Sequence, residues 1–241
     1  MTKFFLQLVL ISCVSLFGMT VRAADKTIGV FVALADNEHQ GIVKVPKAIG
    51  NGDDPERNLY WGTAEGLKGV FDHSKDWTLV EKKEQPEGIV LRSRVYKHKQ
   101  YQATLTAKAY QGSAIKQAVQ DFESAIVNDS YDLVVFIGHN GLMDFQLPAP
   151  QQTPNDVKPA AVVLACKSEA YFKNRIMDAG GEPVLLTTQF MYPGAFILHA
   201  AANSWLAGGD MDAIRTSAGR SYANNQKLSL KAGTGVFAKL P

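Results

Sequence analysis

Three short runs of this chain are apolar at every position: Ile28-Gly29-Val30-Phe31-Val32-Ala33-Leu34, Leu133-Val134-Val135-Phe136-Ile137 and Ala160-Ala161-Val162-Val163-Leu164-Ala165. A strand with one wet face alternates polar and apolar residues, whereas a strand covered on both faces does not. Such runs therefore require layers above and below a sheet. Helical patterns separate them. Ile115, Val119, Phe122 and Ile126 recur at helical spacing behind Ser113, a candidate N-cap, and a second helix is expected from about Glu169 to Ala179, ending at Gly180-Gly181. Strands alternating with helices predict an α/β fold with a mostly parallel central sheet and helices on both faces.

The remaining segments fit that plan. Trp77 to Glu81, Gly88 to Val95 and Gln102 to Ala109 read as strands, because β-branched and aromatic residues alternate with polar ones between turn-like breaks. Leu59 to His73 carries a short helix, and Pro183 to Thr188 is another strand. The run from Pro193 to Leu206 is apolar all round, which predicts a buried helix closed by Gly208-Gly209. Asp210 caps a last helix to about Asn225. The stretch from Asn37 to Asn58 holds too many turn residues for helix or strand, and loops of that length tend to be functional.

Lys3, the apolar run from Phe4 to Met19 and the Val21-Arg22-Ala23 sequence read as a secretory signal peptide cut after Ala23. A lipoprotein-type cut at Cys13 is the competing reading. The first cut removes Lys3 and Arg22 but no acid, so the formal charge of +2 falls to zero. The expectation is a single periplasmic or secreted domain over 24–241, with no stable membrane span and no affinity for nucleic acid. With 46% apolar and 20% charged residues the composition is that of a folded globular chain. Of two cysteines, Cys13 leaves with the leader. Cys166 then has no intramolecular partner in an oxidising compartment, so it is either inert and buried or reactive.

His139 and Cys166 each follow directly on an apolar strand. Ligands of open α/β sheets bind at the carboxyl ends of strands, so neighbouring strands would bring both side chains to one rim. An imidazole can lower the pKa of a thiol and return the proton to a leaving group, which makes Cys166/His139 a candidate dyad. The glycines beside His139 suit a tight turn with N–H groups facing the site. No Gly-rich phosphate loop, paired-cysteine zinc spacing or Gly-x-Ser-x-Gly elbow is present, and no cofactor is expected.

An apolar strand ending in His beside Gly, followed by an apolar strand ending in Ala-Cys-x-Ser, resembles the caspase, legumain and gingipain-like cysteine peptidases. The matching residues are Val134 to Gly141 and Val162 to Ser168. The resemblance implies a caspase-like three-layer sandwich acting on a peptide or protein substrate. In it Cys166 attacks the scissile carbonyl and His139 protonates the leaving amine, while N–H groups near Asn140 and Gly141 and at Cys166 hold the oxyanion. Relatives carry glycine directly after the histidine, whereas Asn140 intervenes here; Asn tolerates left-handed backbone better than most residues.

The resemblance also places Asp36 on the loop that forms the pocket for the residue before the cleaved bond. A carboxylate there would favour Arg or Lys; a strand-end cap is the other reading. Asp36, Glu38, His39, Asp53 and Asp54 match no metal loop, and no metal is expected. Tyr60-Trp61 either packs the loop or meets a ligand. His199 is expected in the core and His73 and His98 on the surface, and Ser168 is expected to cap the next helix. The alternative function is a non-catalytic periplasmic ligand- or protein-binding domain on the same scaffold, with the 36–58 loop as its recognition surface.

Overall fold

A computed structural model describes residues 25–151 and 158–241; the expected leader and Cys13 lie outside them. The elements run in the order β1 (Lys26–Ala33), α1 (Leu67–Asp72), β2 (Trp77–Glu87), β3 (Val90–His98), β4 (Ala103–Tyr110), α2 (Ile115–Val127), β5 (Leu133–Ile137), β6 (Ala160–Leu164), α3 (Ser168–Asp178), β7 (Glu182–Leu185), α4 (Ala195–Leu206), α5 (Met211–Gln226) and α6 (Leu230–Gly235).

All seven strands form one sheet in the order β2-β3-β4-β1-β5-β6-β7. From β4 through β1, β5 and β6 to β7 every pairing is parallel. The β2-β3-β4 end is an antiparallel meander. The expected α/β fold is thus present with a mixed, mostly parallel sheet, and the antiparallel wing is where the strands alternate instead of running wholly apolar.

The apolar strands β1, β5 and β6 lie at the centre and feed two cores. On one face Phe31, Phe136 and Val163 meet Phe122 and Ile126 of α2 and Phe172 and Ile176 of α3. On the other, Val30, Val135 and Val162 share a core with Phe71 of α1, Ile197 and Leu198 of α4, and Ile214 of α5. The period-2 alternation of side chains along each strand divides them this way.

Two helix starts differ from expectation. Ser113 does not cap α2: a 3-10 turn, Gly112–Ala114, leads into the helix, and no side chain caps its first N–H groups. Asp210 does cap α5, accepting from the Ala213 N–H at 2.8 Å. The short α6 behind Ser229 was not expected; its cap accepts from the Ala232 N–H at 3.2 Å. Among the described residues no helix is long and apolar enough to cross a membrane.

Candidate active site

The register of the central strands sets the site. Ile137, the last residue of β5, pairs with Leu164, the last residue of β6. His139 and Cys166 each stand two residues beyond, level with one another on the carboxyl rim of the sheet. Gly138 makes the turn between strand and histidine. Its φ is +156° and a Cβ there would sit 3.0 Å from the Ala33 carbonyl, so only glycine fits comfortably. The Gly138 N–H donates to the Leu164 carbonyl at 3.2 Å, which keeps the two strand ends together as they leave the sheet.

His139 is buried, and its Nε2 lies 2.7 Å from Oδ2 of Asp144. Asp144 follows a 3-10 turn, Gly141–Met143. The same Oδ2 accepts the Gly41 N–H at 2.9 Å, tying the turn to the loop after β1 across a sequence separation of 103. A Cβ on Gly41 would come within 2.5 Å of Asp144 Oδ1, so a larger residue there would push the carboxylate from its place. Asp144 was not singled out from the sequence. With Nε2 engaged by the carboxylate, Nδ1 is the ring nitrogen left for a reacting group.

Asn140 is fully buried. Its Nδ2 donates to the Cys166 carbonyl at 2.7 Å, while its Oδ1 has no hydrogen-bond partner. Its φ is −77°, so the turn does not use the left-handed geometry that Asn would tolerate; Gly138 supplies the unusual backbone instead. The Gly141 N–H donates to the His139 carbonyl at 3.0 Å and is thereby occupied. No hydrogen bond among the described residues occupies the Cys166 N–H.

Cys166 is half-buried, and its thiol donates to the Met191 carbonyl at 3.6 Å. No hydrogen bond joins Sγ to the His139 ring. Lys167, next in the chain, is left-handed with φ 51°, and α3 opens at Ser168. Ser168 is buried and does not serve as the helix cap. Its hydroxyl contacts the Val163 carbonyl at 2.9 Å and the Thr187 N–H at 2.8 Å, fastening the end of β6 to the chain after β7.

Cys166 and His139 line one cavity of about 440 Å³. One wall is the loop after β1 with Gly41, Ile42, Val43 and Val45; another is Met191, Tyr192 and Pro193 ahead of α4; Tyr60, Met143 and Phe190 complete it. Burial pushes the Tyr60 phenol above its ordinary value, and the charge of the nearby Cys166 adds to the shift. Trp61 and Tyr60 are both buried and pack the loop, and Tyr60 also lines the cavity.

Asp36 does not line this cavity. It accepts from the Glu38 N–H at 2.9 Å, the His39 N–H at 3.2 Å and His39 Nδ1 at 2.9 Å, the geometry of a turn cap. Hydrogen bonding to Asp36 raises the His39 pKa. Among the described residues no three His, Cys, Asp or Glu side chains converge as metal ligands.

His199 packs against Phe71 and meets the Ser74 hydroxyl at 2.8 Å, and His73 is exposed. His98 is buried, contrary to expectation, between Trp77 and Tyr101.

Comparison with known proteins finds no match for this chain, whether against protein-family models, curated proteins or solved structures.

Proposed function

We propose that this chain is an exported, caspase-like cysteine hydrolase, an endopeptidase in which Cys166 is the nucleophile, His139 the acid/base and Asp144 the group that orients the imidazole. The observation that carries the reading is that Cys166 and His139 each stand two residues beyond the ends of adjacent parallel strands and line one cavity, with His139 Nε2 held at 2.7 Å by Asp144.

In the reaction the thiol turns from the Met191 carbonyl and gives its proton to His139. The sulfur then forms a bond to the scissile carbonyl carbon. As the carbon–nitrogen bond breaks, His139 passes that proton to the departing amine, and water releases the acyl group from sulfur with His139 again taking and returning a proton. The Cys166 N–H, which no hydrogen bond among the described residues occupies, is the donor available to the oxyanion, backed by the N-terminal end of α3. Asn140 acts through its grip on the Cys166 carbonyl, and the Gly141 N–H serves the turn. In this reading the seven-stranded sheet is a caspase-like sandwich and residues 1–23 are its export signal.

The test compares purified protein with Cys166→Ala on a peptide library varied at the residue before the scissile bond. Cleavage by the first and none by the second supports the reading. Equal labelling of both by a thiol-directed probe, with no cleavage by either, removes it. The second reading, a non-catalytic binding domain, draws on one observation: the resting thiol is bonded to Met191 and not to His139. Cys166→Ala would then leave ligand binding unchanged.

A further inference from the structure

We propose that the cavity beside Cys166 selects a bulky, uncharged apolar side chain on the residue that supplies the scissile carbonyl. This rests on the hydrolase reading above and goes beyond it by naming the substrate class.

Three observations carry it. First, among the described residues no Asp, Glu, Lys or Arg lines the cavity. The nearby carboxylates are already committed: Asp36 to the 38–39 turn, Asp144 to His139 and the Gly41 N–H, and Glu65 to Asn225 Nδ2 at 2.6 Å. A lysine or arginine entering here would lose its water and meet no uncommitted carboxylate in the lining, and an aspartate would find a cation only outside the lining, where Lys167 lies over Phe190, a heavy cost in an apolar site.

Second, the wall is preformed. Asn37 clamps Val45 from both sides, its Nδ2 donating to the Val45 carbonyl at 2.8 Å and its Oδ1 accepting the Val45 N–H at 3.0 Å. With Gly41 fixed on Asp144, the loop presents Ile42 and Val45 without an ordering cost at binding.

Third, the mouth is apolar and open. Val43 is 90% exposed and Phe190 64%, and Met143 is exposed beside them, while the Lys167 ammonium lies 4.4 Å over the Phe190 ring. Exposed large apolar side chains gathered around one opening mark a surface that is covered in use. A cavity of about 440 Å³ has room for a leucine, methionine or phenylalanine side chain with adjoining backbone.

The experiment uses peptidyl acyloxymethyl ketones identical except for Leu, Phe, Arg, Lys or Asp next to the reactive ketone, scored by the rate of Cys166 labelling against Cys166→Ala. Leu and Phe are expected to label at least about tenfold faster than the charged probes. Val45→Asp, which sets a carboxylate in the wall, is expected to shift the preference toward Arg and Lys by a similar factor. Labelling of Cys166 by Arg, Lys or Asp probes as fast as by Leu overturns the specificity and leaves the hydrolase reading standing. No labelling of Cys166 by any probe removes the hydrolase reading, and this inference with it.

Discussion

The Asn140 side chain donates to the backbone carbonyl of Cys166 at 2.7 Å, so the turn after β5 and the turn after β6 form one unit. The Asn140 amide is fully buried and the Cys166 side of the bond partly so, and truncating the amide leaves that carbonyl without its protein partner. Asn140→Ala should lower unfolding stability by about 1–3 kcal/mol. Asn140→Asp should cost more, because it sets a buried carboxylate against a carbonyl oxygen. Urea unfolding monitored by tryptophan fluorescence measures both. A loss near zero for Asn140→Ala would show that the two turns hold their positions independently.

The parts of this arrangement differ in how plainly the sequence carries them. The wholly apolar runs of β1, β5 and β6 announce a doubly covered sheet, and His139 and Cys166 are legible because each directly follows such a run. Asp144 was not, since its role depends on a 3-10 turn and on a contact with Gly41 from a distant loop, and neither leaves a periodic trace. His98 was misplaced because Lys97 and Lys99 flank it. β3 runs past the expected end at Val95 to His98, its last residue, so alternation turns Lys97 outward and His98 inward, while Lys99 lies beyond the strand. Ser168 looked like a cap from its position beside a helix, yet its burial against Thr187 depends on the crossover to β7.

Arg175 of α3 forms a bidentate pair with Glu123 of α2, at 2.5 and 2.8 Å, and also donates to the carbonyls of Leu147 and Pro148. One guanidinium thus fixes two helices and the segment leaving the turn that carries His139 and Asp144. Glu123 is buried, so Glu123→Ala leaves a poorly hydrated cation and should destabilise the fold by about 3 kcal/mol. Arg175→Met, which removes the charge and keeps much of the stem, should be milder towards the pair but should loosen 144–148. Calorimetric melting of both variants and of the double substitution separates these terms.

Burial lowers the pKa of both His98 and His199, with Asp76 opposing the shift in each case. The unfolded chain therefore binds protons at these sites before the folded chain does. Their contribution to stability is present above the ordinary imidazole value of about 6.5 and is lost as pH falls below it toward the folded values. His39 works in the opposite sense, because its raised pKa favours the folded state below that value, but it is fully exposed. The melting temperature should fall between pH 6.5 and pH 5, and His199→Gln should flatten the slope. A slope unchanged in His199→Gln and in His98→Gln would remove these imidazoles as its cause.

Asp144 Oδ2 has two duties, since it holds His139 Nε2 at 2.7 Å and accepts the Gly41 N–H at 2.9 Å. Asp144→Asn keeps the volume and leaves an oxygen for one partner, so the imidazole loses the carboxylate that holds its ring in place. On an apolar peptide substrate the variant should lose about 10²-fold in kcat, the scale of a misdirected acid/base. Gly41→Ala separates the second duty from the first. Its Cβ would press on Asp144 Oδ1, displacing the wall that carries Ile42 and Val45 and raising KM as well as lowering kcat. Melting temperature and the binding of apolar probes distinguish these effects from a general loss of fold: Asp144→Asn should keep both near the parent while kcat falls. If both variants bind apolar probes and turn over as the parent does, Asp144 has no part in positioning His139.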